Sequence, residues 1–140
     1  MAPSSQSTKK SAVFTVLMLL LVAALLFAAY LWVVLNWSYS VGNRAGFMQK
    51  FSEKGWICKT WEGELSLIAI PGAAPEKFFF SVRDPAAAKQ VEAAMGKRVS
   101  LDYQQHIGLP TNCFGETQYF VVGVKEVVTR NDGRDLLPGN

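Results

Sequence analysis

Two cysteines, one histidine and two closely spaced glutamates are the residues of this chain whose types could do chemistry. Cys58 and Cys113 are its only thiols. In an oxidising compartment they would pair, and closing a loop of about 55 residues would contribute roughly 4 kcal/mol in the chain-entropy model. In a reducing compartment they would be two buried free thiols. Neither stands in a C-x-x-C at a helix start, where a thiolate would be stabilised for redox work. His106 and Cys113 are two potential ligands, whereas a zinc site needs three or four, and the chain has no second histidine. His106 therefore reads as a surface loop residue, and neither a metal nor another cofactor is expected. The same shortage weakens a Cys and His hydrolase, although Asp102 is near in sequence. Glu62 and Glu64 flank Gly63, so on a strand both carboxylates would share one face about 7 Å apart. That spacing suits paired acid and base work, and it equally suits two solvated charges answering Lys50, Lys54 or Lys59 across a hairpin.

With no convergent nucleophile, base and orienting group, these residues point to a binding module rather than an enzyme. The best surface for a partner is Arg44, Lys50, Lys54 and Lys59 interleaved with Phe47, Phe51, Trp56 and Trp61, with Glu62 and Glu64 beside them. Such a mixture could meet another membrane protein or anionic lipid headgroups.

The elements that must position this surface begin with a membrane anchor. Val13 to Leu35 is an uncharged apolar run of 23 residues. At about 1.5 Å per residue it spans roughly 35 Å, enough for a hydrocarbon core of about 30 Å. It exceeds the apolar core of a cleaved signal peptide, and Tyr30, Trp32 and Trp37 occupy the place of a small-residue cleavage site. These aromatics, with Tyr39, form an interfacial belt at the distal end. Lys9 and Lys10 lie against the membrane more tightly than Arg44 and Lys50, which predicts a cytoplasmic amino terminus and an outward domain. Residues 1–12 then read as a short polar cytoplasmic tail, 13–35 as the transmembrane helix, 36–130 as a soluble domain and 131–140 as a flexible tail. Ala24 and Ala28 make a small-xxx-small pair through which two such helices could associate.

Of the formal net charge of +3, most belongs to Lys9 and Lys10: from Asn36 onward there are 12 Lys and Arg against 11 Asp and Glu. A domain so close to neutral lacks the basic surplus a nucleic-acid binder needs. It contains no G-x-G-x-x-G or phosphate loop, which excludes a nucleotide-dependent enzyme of the usual kinds.

Within the domain, Tyr39 to Ser52 reads as a glycine-bent first strand and Glu53 to Gly55 as a tight turn. Trp56 to Ile70 reads as a long second strand, with Ile57, Trp61, Leu65 and Leu67 in one phase and a bulge or close packing at Gly63. Pro71 to Pro75 is a loop, and Lys77 to Val82 a short buried third strand. Asp84 as N-cap and Pro85 at the first helical position open a helix that Gly96 stops, with Ala88, Val91 and Met95 on one face. Val99 to Gln104 and Thr117 to Val128 are the fourth and fifth strands, separated by a loop over 105–115. Three strands, a helix and two strands is the element order of an OB-like five-stranded barrel with one helix between strands 3 and 4. An SH3-like barrel or a curved sheet packed on one helix shares several of these features.

The stretch from Ser40 to Leu65 (SVGNRAGFMQKFSEKGWICKTWEGEL), directly after an anchor, and the later GETQYFVV from Gly115 resemble a group of small uncharacterised bacterial single-pass membrane proteins. Some members carry a phosphogluconate dehydrogenase label, for which this chain has neither the length nor the nucleotide fingerprint. The resemblance spans about two thirds of the chain and implies a bacterial inner-membrane protein. It carries over no catalytic residues.

Overall fold

The computed structural model describes residues 5–67 and 71–127, in two compact units, Met1–Trp37 and Ser38–Asn140. The first is a single helix, α1 (Ser5–Asn36). Its apolar side chains are exposed on every side, including Phe14, Leu19, Leu26 and Trp32. A helix that is apolar all round is stable only in an apolar medium, and α1 is long and apolar enough to cross a membrane. The helix begins ahead of the apolar run: the stretch read as an unstructured tail is helical from Ser5, with Thr15 Oγ1 donating to the Ser11 carbonyl (2.9 Å). The expected tail at 131–140 lies outside the described residues.

The second unit contains five strands and one helix: β1 (Ser40–Lys54), β2 (Thr60–Leu67), β3 (Lys77–Val82), α2 (Pro85–Ala93), β4 (Arg98–Gln105) and β5 (Tyr119–Glu126). The expected order, with the helix between the third and fourth strands, is the observed one. β1 is long enough to pair twice: Gly46 to Lys54 runs antiparallel to β2, and Ser40 to Phe47 antiparallel to β4. β2 pairs with β3 and β4 with β5, both antiparallel, and a parallel bridge from Ser81 to Phe120 joins β3 to β5. The pairing order β1-β2-β3-β5-β4 returns to β1, so the sheet closes on itself and leaves no free central edge.

The closed face holds the core: Met48, Leu65, Phe78, Phe80, Val82, Val99, Leu101 and Val121, capped by Ala87, Ala88, Val91 and Ala94 of α2. α2 starts as its sequence dictates, with Asp84 Oδ1 accepting from the Ala86 N–H (3.1 Å) and Pro85 at the first position. The phase of β2 is set at Gly63, where a Cβ would come within 2.1 Å of the Phe80 ring. Gly63 is thus a site of close packing rather than a bulge. The register shifts fall elsewhere, between Met48 and Lys50 and between Asp102 and Tyr103.

The second strand is shorter than its alternation suggests. Pairing with β1 ends at Lys54 and Thr60, and Gly55 to Lys59 form the β1–β2 loop. Gly55 turns the chain at φ +125°, and a Cβ there would strike the Cys58 carbonyl at 1.8 Å, so only glycine closes this turn. Glu53 and Lys54, read as part of the turn, instead complete β1.

Candidate functional site

The side chains of the outer β1–β2–β3 face alternate with those of the core. Thr60, Glu62, Glu64 and Ser66 point away from the core, opposite Trp61, Gly63, Leu65 and Leu67. Glu62 is nevertheless buried, at 6% exposure, because the segment entering β5 lies across it. The Glu116 N–H donates to its Oε1 (3.0 Å) and the Ser81 hydroxyl to its Oε2 (2.6 Å). Ser81 Oγ in turn accepts from the Thr117 N–H (3.0 Å), and Thr117 Oγ1 donates to the Tyr119 carbonyl (3.0 Å). A carboxylate on β2, a hydroxyl on β3 and two backbone N–H groups on the β4–β5 connection thus form one buried network. Its effect is to clamp that connection onto the sheet.

A second link does the same further out. Cys58 and Cys113 have their sulfurs at bonding distance, 2.05 Å, with Cα atoms 4.9 Å apart. Cys58 lies on the β1–β2 loop rather than on a strand, so the bond ties that loop to the β4–β5 connection.

Beside the Glu62 network the outer face is open. A cavity of about 70 Å³ is lined by Lys50, Ser52, Lys54, Glu64, Phe79 and Thr117 together with Glu62, Gly63 and Glu116. A larger hollow of about 380 Å³ continues on the far side of Phe79 and Thr117, toward Arg44, Lys77 and Tyr119. Phe79 stands 55% exposed between them, the outward member of a run whose Phe78 and Phe80 are buried. Charge is balanced across the groove: Glu64 pairs with Lys77, and Lys54 Nζ lies 3.4 Å from Glu116 Oε2. Lys50 is exposed and in no ion pair with another described residue.

Of the residues singled out from sequence, Lys50, Lys54, Glu62 and Glu64 converge on this groove. Arg44 borders its far end, its guanidinium 4.9 Å from the Phe78 ring and 3.8 Å from Glu76. Lys59 is exposed on the β1–β2 loop, and Trp61 packs against the core instead of facing a partner. The two glutamates share a face as expected, yet each is engaged separately, Glu62 by its hydrogen bonds and Glu64 by Lys77. They are not an acid and base flanking one reacting atom. His106, expected at the surface, is 3% exposed, with its ring edge-on to Phe120 at 5.5 Å and its backbone N–H donating to the Gln118 carbonyl. Among the described residues no three His, Cys, Asp or Glu side chains are grouped to hold a metal ion. Phe79, Ser81, Glu116 and Thr117 escaped the sequence reading. The one signal was a serine within an otherwise apolar FFFSV run, where a buried hydroxyl demands a partner.

No protein-family model matches this chain, and no curated protein matches it.

Proposed function

We propose that this protein is a non-enzymatic binding module of the bacterial inner membrane, anchored by α1 with its amino terminus in the cytoplasm. Its OB-like barrel stands in the periplasm and offers the outer β1–β2–β3 face to a segment of another membrane protein. The pairing order, the parallel closure of β3 on β5 and the helix between β3 and β4 support the OB-like reading. In such folds the face of strands 2 and 3, between the β1–β2 and β4–β5 loops, takes the ligand.

The observation that carries this reading is the double fastening of the β4–β5 connection, by the Cys58–Cys113 bond and by the Glu62–Ser81–Thr117 network. The network lines a groove with an exposed aromatic and charges of both signs, and the bond holds the same connection farther out. A preorganised recognition surface lowers the entropy lost on binding. The polar groups that would otherwise suggest chemistry are consumed in holding it. The disulfide also favours an oxidising compartment, which agrees with the excess of Lys9 and Lys10 on the other side.

The test is a photo-crosslinking residue in place of Phe79 in the full chain, at native expression, followed by purification and mass spectrometry. One membrane-protein partner in constant proportion supports the reading, and its loss on Lys50→Glu assigns the groove. A second reading, an oligosaccharide ligand, is favoured by Phe79 beside Glu64 and Lys50, an aromatic platform next to hydrogen-bonding charges. It predicts no protein crosslink at position 79 and, in its place, a crosslink to glycan that added free glycan competes away.

A further inference from the structure

Among the described residues of the second unit, the two most exposed large apolar side chains lie outside the groove. Trp56 is 101% and Ile57 97% exposed, consecutive at the tip of the β1–β2 loop. They are not on a loose loop: Gly55 closes the turn on one side and the Cys58–Cys113 bond pins it on the other. A fixed knob of this kind, left in water, forfeits the burial of a tryptophan, about 150–250 Å² of surface. Directly beside it is a hollow of about 300 Å³, its open surface predominantly apolar through Gly55, Ile57, Cys58 and Cys113, with Lys54, Thr60, Asn112 and Glu116 at its margin and Trp56 as one side.

We propose that this knob and hollow are the contact between two copies of the chain, each Trp56 entering the other's hollow about a two-fold axis. A two-fold contact uses one patch twice and so must be self-complementary, and a knob adjoining a hole meets that condition. The charges at the tip meet it too. Glu53 and Lys59 flank the loop, exposed and in no ion pair with another described residue, while Lys54 and Glu116 neutralise each other. One free acid and one free base answer each other reciprocally across a two-fold axis. The balance also argues against anionic lipid, for which a cationic surplus is needed. Two Trp and Ile pairs fall short of the roughly 1,200 Å² buried by a standard interface. The contact therefore depends on α1 confining both copies to one membrane, which raises their effective concentration.

The experiment uses the full chain in native membranes, with two differently tagged copies co-expressed and a photo-crosslinking residue replacing Trp56. The expected product has twice the 15.4 kDa chain mass plus the tags and carries both. Glu53→Lys should reduce it at least five-fold, and Glu53→Lys with Lys59→Glu should restore it. Retention of the Cys58–Cys113 bond on a non-reducing gel verifies that each variant is folded. Crosslinks only to lipid or to a different protein, absence of any product, or no response to the charge exchange would each overturn the proposal. The groove at Phe79 is read out separately, so either site can fail alone.

Discussion

Gly63 and Ser81 hold the groove's two central strands in place through opposite means, one by the absence of atoms and the other by the hydrogen bonds of a single hydroxyl. The Phe80 ring lies where a Cβ on residue 63 would be, and Phe80 is fully buried, so it has no room to withdraw. Gly63→Ala is expected to cost about 1–3 kcal/mol, the usual penalty for overpacking a filled core, measured as a lower denaturation midpoint of the full chain in detergent. Ser81→Ala leaves Glu62 Oε2 without its donor and the Thr117 N–H without its acceptor, at about 1–3 kcal/mol for each unpaired buried group. Glu62→Gln should cost less than Ser81→Ala. Its amide oxygen can still accept from Glu116 and its amide nitrogen can donate to Ser81. The order of the two midpoints is the check, since reversal would mean that the negative charge, not the hydrogen-bond geometry, holds the loop.

At the scale of elements, the disulfide acts on two loops at once, and its loss should be felt in stability and in the groove. Cys58→Ser with Cys113→Ser should lower stability by about 4 kcal/mol, the entropy of a loop of about 55 residues. Hydrogen exchange should rise first in 107–115, with the Glu116 and Thr117 amides of the Glu62 network resisting longest. The elements themselves were legible where local chemistry and tertiary context agree. The bounds of Lys77 to Val82 and the start of the helix at Asp84 and Pro85 are observed as read, whereas the helix ends at Ala93, short of Met95, which is exposed, and Phe79 of the strand read as buried faces outward. Where they disagree, alternation misleads: Trp56 to Lys59 has the pattern of a strand, but Gly55 breaks the pairing and the disulfide holds Cys58 off the sheet. The groove was half legible. Lys50, Lys54, Glu62 and Glu64 stood out as charges on one strand pair, whereas Phe79 and Thr117 join them only because β3 pairs with β2 and the β4–β5 connection crosses both. His106 lay in a loop by sequence and is buried because that loop is packed down, a fact that no local pattern carries.

For the whole molecule, orientation and redox state are one question. Lys9 and Lys10 favour retention of the amino terminus in the cytoplasm, and a bonded Cys58–Cys113 pair persists only outside the reducing cytosol. The two arguments are independent, one resting on charge beside α1 and the other on sulfur chemistry in the second unit, and they reach the same side. In spheroplasts an added protease should therefore reach the β domain, while inverted vesicles should protect it. In the same spheroplasts a membrane-impermeant maleimide should label neither cysteine until a reductant is added, and both afterwards. Protection in spheroplasts with digestion in inverted vesicles would reverse the orientation. It would require the thiols to be free in the cell, so labelling of both without reductant in lysed cells should accompany it. If the orientation reverses while the thiols stay blocked, the bond has formed against its compartment, and the fixed tip of the β1–β2 loop no longer argues for an oxidising side.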